Sequence, residues 1–160
     1  MTVQTKSVKG RRTVSYQSFD DLLEDAEAMA HGVVQTLGNW SLGQIFQHLA
    51  SALESSIDGF SFKAPLHVRL VAPFLKKRFL KKPVPAGFQL PAAGQAQLVP
   101  AATVSTAEGL DALRLAVSRT ESESKRAIHP VFGRLSKQES DQLQLRHAEM
   151  HMSFVVPAEE

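Results

Sequence analysis

His147 and His151, four residues apart, are the side chains of this sequence best placed to do chemistry. On an α-helix, residues i and i+4 stack on one face, so two imidazole nitrogens can reach one cation at about 2.0–2.1 Å. Six histidines in a chain of 160 residues produce such a pair by chance in about one sequence in five, so a third ligand is needed. His48 is the candidate: it flanks an apolar stripe beside Ile45 and Ala52 and can turn toward a neighbouring helix. Three neutral imidazoles leave a divalent cation such as zinc, nickel or iron at least one open position, the arrangement of catalytic rather than structural sites. The ligands must be unprotonated, so affinity is expected to fall below about pH 6.5. The simpler alternative is a set of hydrogen-bonded core histidines in a non-catalytic bundle used for dimerisation or ligand binding.

Other motifs add less. His147-Ala148-Glu149-Met150-His151 differs from H-E-x-x-H because Ala148 stands where the general base belongs, and Glu149 is expected on the solvated side of the helix. His129, ahead of Pro130, reads as a turn residue, with a substrate-facing catalytic role as the alternative. His31 and His67 have no partner ligands, and Trp40 and Phe46 read as packing residues. Lys76, Lys77, Arg78, Lys81 and Lys82 surround Phe74, Leu75, Phe79 and Leu80; this suits a membrane surface or an acidic partner, or simply a solvated face. The sequence has no cysteine, no phosphate-binding or dinucleotide-binding glycine motif and no G-x-S-x-G elbow. Thiolate metal sites, iron–sulfur clusters and serine-hydrolase chemistry therefore have no support.

The elements that must position the histidines are helices. Leu22, Ala26, Met29, Ala30, Val33 and Leu37 recur at helical spacing, predicting a first helix over 19–37 that starts at Ser18 and stops at Gly38. Ser41-Leu42-Gly43-Gln44, Ser105-Thr106-Ala107-Glu108 and Ser136-Lys137-Gln138-Glu139 have the capping-box form. They predict long helices to about 58, 127 and 156. On the last of these, Leu143, His147, Met150, His151 and Phe154 share one stripe expected to face the core. Six prolines between 65 and 100 weaken the pattern there, leaving a short helix over about 67–82 and an irregular loop over 83–100. The expected fold is all-α: a four-helix bundle with a long crossover between helices two and three, comprising a polar arm over 1–17 and one domain over 18–157.

Composition agrees with a globular chain: 43% of residues are hydrophobic and 21% charged. A net charge of +2 argues for no nucleic-acid partner despite a pI of about 9.0. No apolar run is long enough for a membrane span and no signal segment is evident, so a cytoplasmic location is expected.

Two segments, 37–49 (LGNWSLGQIFQHL) and 145–154 (LRHAEMHMSF), together resemble the DinB-like (DinB/YfiT-like) superfamily. There a tryptophan–serine helix start precedes a histidine on helix two, and H-x-x-x-H lies on helix four. Gly87-Phe88-Gln89-Leu90-Pro91 and His129-Pro130-Val131-Phe132-Gly133 resemble one of its uncharacterised domain families, extending the similarity over roughly 11–157. The resemblance implies a four-helix bundle with an open metal site at His48, His147 and His151. It also implies a hydrolase or thiol-dependent transferase acting on a small molecule, among them a low-molecular-weight thiol, and is compatible with a homodimer. Many relatives carry a further histidine where this chain has Met150.

Overall fold

The computed structural model describes residues 2–158 and is mostly helical. In chain order the elements are α1 (Phe19–His31), β1 (Val34–Thr36), α2 (Leu42–Asp58), α3 (Leu66–Lys81), α4 (Ala92–Leu98), α5 (Thr106–Ser122), α6 (Lys137–Met152) and β2 (Val155–Pro157). Among the described residues there are thus six α-helices, and no helix is long and apolar enough to cross a membrane. Four of the helices start at a serine whose hydroxyl accepts the amide hydrogen three residues on, while that third residue's side chain accepts from the serine amide. Two orphan amides are satisfied at each start, which is why these helices begin where the sequence says.

The core is built where α1, α2, α5 and α6 converge on Leu22, Phe46, Leu49, Leu113, Val117 and Met152, all at most 2% exposed. α2 and α5 lie closest. A Cβ on Gly109 would stand 2.3 Å from the Gly43 carbonyl oxygen, and one on Gly43 would stand 2.4 Å from the Ser105 carbonyl oxygen. At the other ends, Arg119 forms a two-pronged pair with Asp58 at 2.7 Å. N-terminus beside N-terminus and C-terminus beside C-terminus means that α2 and α5 run parallel, and parallel neighbours require the long crossover that 59–105 supplies. Because backbone and not a flexible side chain fills the space at Gly109, Gly109→Ala is expected to cost about 1–3 kcal/mol, read as a lower urea midpoint at unchanged slope.

Several expected boundaries move. The first helix ends at His31 rather than 37, and the last at Met152 rather than 156. The released residues form an antiparallel pair, Val34 opposite Pro157 and Thr36 opposite Val155, so Val33 is 81% exposed instead of lining a helical stripe. Helix α5 stops at Ser122 instead of 127. The 83–100 segment is no plain loop, since α4 forms inside it and Gly94 packs under Phe62. The expected core face of α6 is also wrong in part. Leu145, Ala148 and Met152 join the main core, and His147 and His151 lie on a neighbouring, partly exposed face.

The N-terminal arm is fastened down. Arg12 pairs with Asp25 at 2.8 Å, and the Tyr16 side chain enters the core. Glu149, expected in solvent, is 2% exposed. It accepts the Tyr16 amide hydrogen at 2.7 Å and pairs with Arg146 at 2.8 Å, because the arm covers the side of α6 that a bundle alone would leave wet. Burial raises the Glu149 pKa, opposed by the Tyr16 amide and by Arg146.

Candidate metal centre

The three sequence-predicted ligands meet. His48, two turns into α2, and His147 and His151, one turn apart on α6, bring their imidazoles edge to edge at interplanar angles of 69°, 60° and 86°. The Nε2 atoms of His48 and His147 are 3.3 Å apart, and those of His147 and His151 are 3.1 Å apart. One ligand atom from each of the three residues can be chosen so that all lie within 4.8 Å of one another. Two nitrogens at about 2.0–2.1 Å from one tetrahedral cation sit about 3.3–3.4 Å apart, and slightly closer in an octahedron, so the spacing fits a shared ion.

Hydrogen bonding fixes which nitrogen of His48 faces inward. The His48 Nδ1–H donates to the Leu98 carbonyl oxygen at 2.7 Å, which leaves its Nε2 with a lone pair. Leu98 is the last residue of α4, where helical carbonyls lack an intrahelical partner, so the end of α4 holds this ring in register. A backbone carbonyl that orients a histidine in this way is the usual outer support of a metal ligand. With one proton at most between each close nitrogen pair, hydrogen bonds among the three rings cannot satisfy every inward lone pair. A cation accepts all of them.

The surroundings keep the rings uncharged. His48 is 4% exposed, and burial lowers its pKa. Burial and the neighbouring histidines push His147 down to about 3 and hold His151 well below the usual imidazole value. Trp40, immediately before the serine that caps α2, stacks on His151 at 5.5 Å and 13° and leans on His48 at 4.7 Å. It packs against the core, as its type suggests, and also walls the site, a role its type alone did not reveal. Arg11 adds a positive neighbour: it bonds the Ser153 hydroxyl at 2.6 Å, lies 4.2 Å over the Phe154 ring, and its charge helps to depress His151.

His129 stands in the turn that carries the His129–Gly133 bridge. Its Nδ1 accepts the amide hydrogens of Val131 and Phe132, both at 3.1 Å, so Nε2 carries the proton of the neutral ring. Burial lowers its pKa to about 4, and a charge on it would disfavour one on His147. His31 and His67 are exposed, and Met150 is buried on α6.

No curated protein and no solved structure matches the chain. The model of a protein family of unknown function, DUF1569, matches residues 8–158, and the chain belongs to that family.

Proposed function

We propose that the protein is a metal-dependent enzyme of DinB-like four-helix-bundle type, in which His48, His147 and His151 hold one zinc, nickel or iron ion and leave open positions for a small-molecule substrate. Support comes chiefly from one observation: three imidazoles, one from α2 and two from α6, each bring a ligand nitrogen within 4.8 Å of the others, and the residues His147 and His151 are not fully buried. A saturated structural ion would want a fourth protein ligand, and no other histidine or carboxylate completes the cluster among the described residues. When bound, the ion would supply Lewis acidity, either lowering the pKa of a water to near 7 for hydrolysis or holding a substrate thiolate nucleophilic for transfer.

The chain's own groups have narrower tasks. The Leu98 carbonyl fixes the His48 tautomer, Trp40 shapes one wall, and burial keeps all three ligands unprotonated at neutral pH. His129 serves as a hydrogen-bond donor through Nε2, not as the general base, because its other nitrogen is committed to two backbone amides.

Cobalt(II) substitution tests this. The cobalt-loaded protein is expected to show the strong visible bands of a four- or five-coordinate site, and a low-molecular-weight thiol should add a sulfur-to-metal charge-transfer band. A spectrum indifferent to thiol, azide and pH would mean a closed coordination sphere, and the catalytic proposal would fall to the structural alternative.

A further inference from the structure

Residues 59–107 contain seven lysines and arginines and not one aspartate or glutamate, leaving eleven basic and sixteen acidic side chains, net −5, on the rest of the chain. The near-neutral total therefore conceals a polarised molecule, whose positive part is the crossover centred on α3. That helix is thinly packed. Of its sixteen residues only Ala72 is buried, and its inward contacts include the Lys76 pair with Glu139 at 2.7 Å and Phe79 against Phe132 at 5.5 Å.

Its outward face carries large apolar side chains. Leu66, Leu70 and Phe74, spaced i, i+4 and i+8, are 67%, 65% and 86% exposed. At 100° per residue, Lys77 and Lys81 fall on the same face one turn further on, with Arg78 beside them. Among the described residues none of these three cations has an ion-pair partner. Isolated exposed apolar side chains need no explanation, but three in register ending in a row of unpaired cations do.

We propose that the outward face of α3 docks the protein on an anionic phospholipid bilayer, with Leu66, Leu70 and Phe74 entering the headgroup–acyl boundary and Lys77, Arg78 and Lys81 on the lipid phosphates. The two halves of the face suit the two layers of such a surface. A nucleic acid would match the cations but would offer little to the leucines and the exposed phenylalanine. A second copy of the same face would set unpaired cations against each other. This binding is independent of the metal proposal.

Vesicle cosedimentation at low salt tests it. Binding is expected to vesicles containing about 30 mol% phosphatidylglycerol, weak binding to phosphatidylcholine alone, and loss of affinity as salt is raised. The double variant Lys77→Gln/Lys81→Gln should bind about 25-fold more weakly, roughly five-fold for each charge removed. Leu70→Ser/Phe74→Ser should lose at least about tenfold. These side chains are exposed, so both variants should keep the wild-type circular dichroism and urea midpoint, and metal affinity should not change. Equal binding to both vesicle types, undiminished binding of the leucine–phenylalanine variant, or a stable dimer in solution that protects α3 would each overturn the proposal.

Discussion

Replacing His147 with alanine is expected to weaken divalent-metal binding by about 10²–10³-fold, since four-ligand zinc sites release about 10–16 kcal/mol and one ligand's share is about a quarter of that. His147 is the central member of the cluster, with its Nε2 close to those of both other histidines. His151→Ala should behave alike, while His31→Ala, on the exposed end of α1, should bind as the wild type does. Titration against a chromophoric chelator, with untagged protein, reads all three. Retention of affinity in His147→Ala would remove that residue from the site.

The second large effect is acid sensitivity of the metal-free protein. His48, His129, His147 and His151 all have folded-state pKa values below the unfolded value of about 6.5. Between those values the unfolded chain binds protons that the folded chain refuses, so stability falls as pH falls, by about 1.4 kcal/mol per pH unit for each histidine. His129 and His147, held at about 4 and about 3, together remove about 4 kcal/mol by pH 5, and His48 and His151 act in the same direction. Urea unfolding of chelator-treated protein between pH 7 and 5 should therefore show uptake of about two protons or more, and substituting the three cluster histidines by glutamine should leave only the share of His129. Uptake of one proton or fewer would mean that the rings are not held neutral. The same depression alters the expected pH dependence of metal binding. A free imidazole competes with the metal below about pH 6.5, but a folded site already neutral there keeps its affinity until it unfolds.

The sequence carried much of this architecture locally. Three capping boxes located the starts of α2, α5 and α6, and the four-residue histidine spacing placed two ligands on one helical face. His48 was visible as a residue flanking an apolar stripe and able to turn toward a neighbouring helix, which made it the candidate third ligand without fixing that it meets the pair. The errors share a cause in non-local contacts. Val34–Thr36 and Val155–Pro157 are each too short to declare themselves as strands and become strands only against each other. Glu149 reads as solvated on any helical wheel, because what buries it is an N-terminal arm more than 130 residues away in sequence. The Leu98 carbonyl that orients His48 could not be read at all, since a backbone oxygen has no residue signature and α4 sits between prolines.

X-ray absorption at the zinc edge, on untagged protein loaded with one equivalent of zinc, reaches the central claim most directly. Three imidazole nitrogens at about 2.0–2.1 Å and one or more further oxygen donors are expected, with the imidazole signal lost in His147→Ala/His151→Ala. A chain that takes up no ion at neutral pH, or holds one without imidazole scattering, would contradict it.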